Sequence, residues 1–172
     1  MKTKILVILA AVIVSIGFIA VNLEGETFSG LIVTSLQDET IPALSLDGFT
    51  EVGISVEPEI IYLTSDCYVL SMVTTQFQTY SINTGLEEKI EFRPTSHDLI
   101  KDILENFDIE VLMIKINSFD QDAYFARLIV KQEDRILNLD SKPSDAIAVA
   151  VRTKSPVYIK QSILENNGEN IC

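Results

Sequence analysis

Arg93-Pro94-Thr95-Ser96-His97-Asp98-Leu99-Ile100-Lys101-Asp102-Ile103-Leu104-Glu105-Asn106-Phe107 carries the clearest local code in the chain. Arg-Pro breaks the preceding structure, Thr95 or Ser96 can cap a helix, and Asp98 falls in the first turn, where a carboxylate favours the macrodipole. Leu99, Ile100, Ile103, Leu104 and Phe107 then line one apolar helical face. Glu110–Ser118 follows with Leu112, Ile114 and Ile116 on one side, the alternation of a strand. Ala123–Val130 and Arg135–Asp140 read as two more strands around the turn-like Gln132-Glu133-Asp134. Asp140-Ser141-Lys142-Pro143-Ser144-Asp145 then opens a second helix, Ala146–Arg152, small and apolar enough for burial. Val157–Ile159 is a short strand, and Gln161–Glu165 a last helical turn.

Upstream of this stretch the chain reads as strands: Phe28–Leu36, a segment through Ile54 and Val56 punctuated by Gly48 and Gly53, Ile60–Leu63 and Tyr68–Val73. Gln76–Glu88 is ambiguous, with Phe77, Tyr80 and Gly85-Leu86 compatible with a short helix. The element order predicts an α+β domain: a mixed β-sheet with two main helices packed on it.

A transmembrane helix is predicted ahead of that domain. Residues 5–21 are uncharged, interrupted only by Ser15 and Gly17, and Asn22-Leu23 extend the run before Glu24 and Glu26. This length reaches the lower end of the ~17–25 residues that span hydrocarbon. Lys2 and Lys4 place the N-terminus in the cytoplasm and the domain outside, in a single-pass arrangement. Residues 1–23 are thus expected to be a membrane anchor, with contact to the bilayer through residues 5–23, and 24–172 the folded domain. The alternative is a cleaved signal with small residues at Ser15-Ile16-Gly17, which would leave the domain secreted.

Composition removes several functions. With 13 basic and 25 acidic residues the net charge is −12, which excludes a broadly basic nucleic-acid surface. A single histidine, His97, excludes a His-rich metal site, and two cysteines, Cys67 and Cys172, exclude a zinc finger. Their pairing depends on compartment and distance. The charge is also uneven: residues 24–88 hold 11 acidic groups and no Lys or Arg, whereas residues 89–172 hold 14 acidic and 11 basic. A polyanion must use the second part.

No Gly-rich phosphate loop, G-x-S-x-G, H-E-x-x-H or C-x-x-C occurs, so chemistry is left to the two helix starts. Asp98, Asp140 and Asp145 are ligands of the kind Mg²⁺ or Mn²⁺ prefers, and such an ion activates water and neutralises a phosphodiester. His97 is a candidate general acid or base beside them. Arg93, Lys142, Ser144 and Arg152 are candidates for holding phosphate. Each also has a structural reading. Thr95, Ser96, Ser141 and Ser144 are capping residue types, aspartates suit first helical turns, and Arg152 suits a helix end.

Together, Arg93–Leu99, Tyr124-Phe125-Ala126-Arg127-Leu128, Asp140–Ala148 and the Arg152…Pro156-Val157-Tyr158 tail resemble the bifunctional nuclease (BFN) domain family in order and spacing. The motif-bearing part is 93–164, with weaker similarity from Tyr68 to Gly85. Lys142 stands where the family usually carries Arg, Ser96 departs from the usual apolar or threonine variant, and the N-terminal segment is an addition. The resemblance implies a compact α+β domain, commonly a homodimer, that cuts DNA and RNA with little sequence preference. Two function classes follow. One is a membrane-anchored, divalent-metal-assisted nuclease acting through His97, Asp98, Asp140 and Asp145. The other is a non-enzymatic, membrane-anchored dimeric interaction module, in which both motifs are helix caps.

Overall fold

The structure, a computed structural model, describes residues 40–172. The expected anchor at residues 1–23 and the expected strand at Phe28–Leu36 lie outside them. Among the described residues no helix is long and apolar enough to cross a membrane. Helix α1 (Thr40–Leu44) is a short helix by itself. From Ser45 to Cys172 the chain forms one body. Its elements are β1 (Phe49–Glu51), β2 (Gly53–Glu57), β3 (Ile60–Thr64), β4 (Tyr68–Val73), α2 (Gln76–Leu86), α3 (Ser96–Asn106), β5 (Glu110–Asp120), β6 (Ala123–Gln132), β7 (Arg135–Ser141), α4 (Pro143–Thr153), β8 (Val157–Lys160), α5 (Gln161–Asn167) and β9 (Glu169–Asn170).

The α+β class holds, but the strands divide between two sheets where one mixed sheet was expected. The larger has the order β1-β8-β5-β6-β7 and is mixed, because β5 and β8 run parallel while the other pairs are antiparallel. The smaller, β2-β3-β4-β9, is antiparallel throughout. The chain changes sheets at Val52, whose N–H donates to the Val157 carbonyl at 3.0 Å. Beyond it, Gly53 pairs with Thr64 of β3. Tight turns keep β2, β3 and β4 together as an antiparallel run, so they form a layer of their own.

Both sheets feed one apolar core. Ile61, Leu63, Leu70 and Met72 come from β3 and β4, and Ile114, Ile116, Val157 and Ile159 from β5 and β8. Alternation decides which residues enter: in β4, Leu70 and Met72 are buried while Ser71 and Val73 face out. Helix α4 supplies Ala146, Ile147, Ala148, Val149 and Ala150, all buried, and packs on β5 and β6 with α2 and α3 against it. Its alanines allow that close approach, as does Gly85 of α2. A Cβ on Gly85 would lie 2.5 Å from Val151 Cγ2.

Lys115 in β5 is buried, an unusual place for an ammonium. Its Nζ donates to the Ser45 carbonyl and lies 4.1 Å from the Phe49 ring centroid. A disulfide joins Cys67 to Cys172, 105 residues apart, and pins the C-terminus beside β4. On a chain-entropy model a loop of this order contributes about 4.7 kcal/mol by constraining the unfolded state.

Two helices differ from their sequence patterns. Gln76–Leu86 is helical, yet it exposes Phe77 and Tyr80 and buries Thr79, Ser81, Ile82, Thr84 and Gly85. In α3 the apolar face exists, but of its residues only Leu104 is buried; Leu99, Ile103 and Phe107 are 56%, 46% and 62% exposed.

Candidate active site

Helix α3 starts where the sequence places it. Thr95 is the cap: its hydroxyl accepts from the Asp98 N–H at 3.5 Å, and its own N–H donates to Asp98 Oδ2 at 2.7 Å, a reciprocal capping box. The Thr95 hydroxyl also donates to Oδ2. The other oxygen, Oδ1, accepts from Arg152 Nε at 2.6 Å. Burial by itself raises the Asp98 pKa. The hydrogen bonds from Arg152 and Thr95 and the guanidinium charge outweigh it and hold the carboxyl at about 2.

Arg152 is equally committed. Nη1 donates to the Ser81 and Ala148 carbonyls, each at 2.9 Å, and Nη2 to Thr84 Oγ1 at 3.2 Å. Its side chain is 4% exposed. The guanidinium therefore clamps α2, α3 and α4 together, with Asp98 as its counter-ion.

One residue earlier the environment opens. His97 Nδ1 lies 2.9 Å from Ser81 Oγ, and Nε2 lies 3.7 Å from Asp145 Oδ1. The ring is 16% exposed and the Asp145 side chain 46%. Burial lowers the imidazole pKa below 6.5; Asp145 and Asp98 raise it and Arg152 lowers it, with burial the largest cause. The ring is thus neutral at pH 7, and the 3.7 Å contact becomes an ion pair only on protonation. If Nδ1–H donates to Ser81, Nε2 presents its lone pair beside a carboxylate that stabilises the imidazolium.

The other expected residues are spread out. Asp140, 73% exposed, lies at the end of β7 opposite Arg127, whose Nη1 is 3.7 Å from its Oδ1. Lys142 is the N-cap of α4 and is exposed, with Pro143 at N1. Ser144 is buried, and its hydroxyl accepts from Gln78 Nε2 at 2.8 Å instead of capping the helix. Arg93 is exposed just ahead of Thr95. Asp98, Asp140 and Asp145 do not converge. Among the described residues no three His, Cys, Asp or Glu side chains form a metal-binding group. The three carboxylates proposed from sequence as one cation site therefore do not fit that role together.

A family model, the bifunctional nuclease domain, matches residues 60–171. The chain belongs to the bifunctional nuclease domain family. Within that family it is 37% identical over 79 residues to Bifunctional nuclease 1 of Oryza sativa subsp. indica, a match covering 44% of this chain and 24% of the rice protein. Bifunctional nuclease 2 of Arabidopsis thaliana is 29% identical over 82 residues, 46% of this chain and 25% of its own length. An uncharacterized protein of Mycobacterium tuberculosis is 30% identical over 76 residues, 44% of each chain. The alignments thus span about a quarter of the plant relatives' length and under half of the mycobacterial one.

The start of α3 supplies His97 and Asp98, and the start of α4 supplies Ser144 and Asp145. Sequence reasoning missed their partners, Ser81 and Gln78. Thr75-x-x-Gln78 is a capping box and signals the start of α2. For Ser81 there is no such sign, because its value lies in facing His97 from another helix.

Proposed function

We propose that this domain hydrolyses phosphodiester bonds in DNA and RNA with little sequence preference, using His97 and Asp145 to move the proton. One observation carries the reading: a half-buried imidazole held between Ser81 and an open carboxylate. It lies within residues 60–171, which the family model matches, and relatives of that family are named nucleases. In the proposed step His97 Nε2 takes a proton from a water whose oxygen attacks phosphorus. Asp145 stabilises the imidazolium so formed. The bond from phosphorus to the leaving oxygen breaks, and His97 returns its proton to that oxygen. Arg93 and Lys142, exposed at the starts of α3 and α4, are the proposed phosphate-holding groups. Asp98 and Arg152 position His97 by fixing the first turn of α3.

The test uses the full chain with labelled single-stranded DNA and RNA, in Mg²⁺, Mn²⁺ and EDTA, beside His97→Gln and Asp145→Asn. Cleavage lost in both variants without a change in melting temperature supports the reading. Full cleavage by either variant overturns its residue's role. Loss of cleavage in EDTA assigns a divalent ion a part that Asp98, Asp140 and Asp145 do not jointly supply. A folded protein that cuts neither substrate is the interaction module.

Two proposals concern setting. The domain is placed outside the cytoplasm, anchored by residues 5–23 or secreted; the Cys67–Cys172 bond supports this, because such bonds persist in oxidising compartments. A homodimer is supported by the exposed Leu99 and Ile103 on α3 and Phe107 at its C-cap. Sedimentation equilibrium of the native chain and of Ile103→Glu decides it, with a monomer expected only for the variant.

A further inference from the structure

The hairpin of β5 and β6 turns through Gln121-Asp122, both at positive φ of 48° and 61°, a two-residue turn of the type that matches strand twist. A register shift between Ile116 and Ser118 precedes it, so the tip is bent relative to the sheet. At that tip Phe119 pairs across strands with Tyr124, with ring centroids 4.5 Å apart and planes at 37°. These rings, the end of β4 and the first turn of α4 line an open cleft of about 560 Å³. That size lies within the usual range for a small-molecule or nucleotide subsite.

The cleft and the candidate active site share one element. Lys142 and Ser144 line the cleft, whereas the next residue, Asp145, faces His97. The first turn of α4 therefore contributes both to the lining of the cleft and to the proposed proton-moving pair. Phe119 remains 38% exposed although it is a large ring, and Lys142 places a cation among the lining residues. Asp122, also in the lining, is a carboxylate at the turn itself.

We propose that this cleft is a base-binding subsite that restricts the enzyme to unpaired nucleotides: the base next to the cut stacks on Phe119 and Tyr124 while its phosphate meets Lys142. The inference rests on the nuclease reading and deepens it. Base–aromatic stacking tolerates any base, because every base has a π-face, which fits cleavage with little sequence preference. In a duplex both faces of a base are covered by its neighbours, so an unpaired base enters such a cleft without the unstacking and unpairing cost of a few kcal/mol that a paired one must meet.

The experiment compares native full chain with Phe119→Leu/Tyr124→Leu and, separately, Lys142→Gln. Cleavage is measured on a labelled single-stranded oligonucleotide, on the same sequence as a duplex, and on a single strand with one abasic position. Binding of the single strand is followed in parallel by fluorescence anisotropy, and folding by thermal melting. Expected are at least tenfold faster cleavage of the single strand than of the duplex, and a roughly tenfold higher KM with kcat retained in the double variant. Cleavage at the abasic position should fall by a similar factor in the native chain and not fall further in the variant. Lys142→Gln should weaken binding and flatten its salt dependence. Equal cleavage of single strand and duplex, or an unchanged KM in a folded double variant, overturns the subsite and leaves the nuclease reading standing. Binding that depends on Phe119 and Tyr124 without any cleavage supports the subsite and overturns the nuclease reading. Neither binding nor cleavage overturns both.

Discussion

Asp98 and Asp145 both occupy the third position of a helix, in the first turns of α3 and α4, yet their surroundings differ sharply. Asp98 has both oxygens satisfied, by Thr95 and Arg152, and faces an almost wholly buried guanidinium. Asp145 is about half exposed, with His97 Nε2 at 3.7 Å, a contact that becomes an ion pair only when the ring is protonated. Identical chemistry at identical helical positions has become a strut in one case and an open reactive group in the other. The division falls between neighbours in sequence, since His97 belongs to the open site and Asp98 to the closed one.

The sharpest way to break this contrast is Asp98→Ala. It leaves the Arg152 charge buried without a counter-ion, which costs about 3–5 kcal/mol. Urea unfolding should show that loss directly, and a change below ~1 kcal/mol would mean that the pair is no strut. On the open side, His97→Gln should cut turnover by roughly 10²-fold or more while unfolding shifts by less than ~1 kcal/mol. Comparing the two variants in both assays separates scaffold from chemistry.

Gly85→Ala probes the clamp from behind. Its Cβ would meet Val151 Cγ2 at 2.5 Å and Arg152 Nη1 at 2.9 Å, so α2 must move away from α4. The expected cost is about 1–3 kcal/mol, typical of overpacking, and a neutral effect on thermal melting would show that the helices can separate freely.

Acid distinguishes the two residues by where stability is lost. Asp98 has a folded pKa of about 2 against 3.8 for the free group. Its contribution, on the order of 2 kcal/mol, is complete above pH 3.8 and disappears as pH falls from there towards 2. For His97 the folded pKa lies below 6.5, so the unfolded chain takes the proton first. Stability is then full above pH 6.5 and declines as pH drops below it, by a smaller amount. Unfolding free energies measured across pH should lose the lower step in Asp98→Asn and the upper one in His97→Gln. If both steps persist in both variants, the titrating groups lie elsewhere.

Much of the framework was legible because it is local. The strand read at Tyr68–Val73 has the bounds of β4, and the breakers at Pro94 and Pro143 open α3 and α4 as read. The two motifs likewise lead to the family whose model matches residues 60–171. The α3 stripe is an instructive partial case. Its period was readable and the helix is there, but the side on which the sheet lies was not, and Leu99, Ile103 and Phe107 face outward.

Sequence by itself determined α3, α4, most strands, the distribution of charge and the two motifs, because capping and periodicity act between residues only a few positions apart. Only the tertiary structure decided which carboxylate closes and which stays open. Arg152 reaches Asp98 across 54 positions and the Ser81 carbonyl across 71, and Gln78 reaches Ser144 across 66. Those contacts follow from the small residues that bring α2 and α4 together, and no spacing rule spans such distances. Burial then sets the chemistry, for it fixes Arg152 on Asp98 and keeps His97 neutral beside an open Asp145.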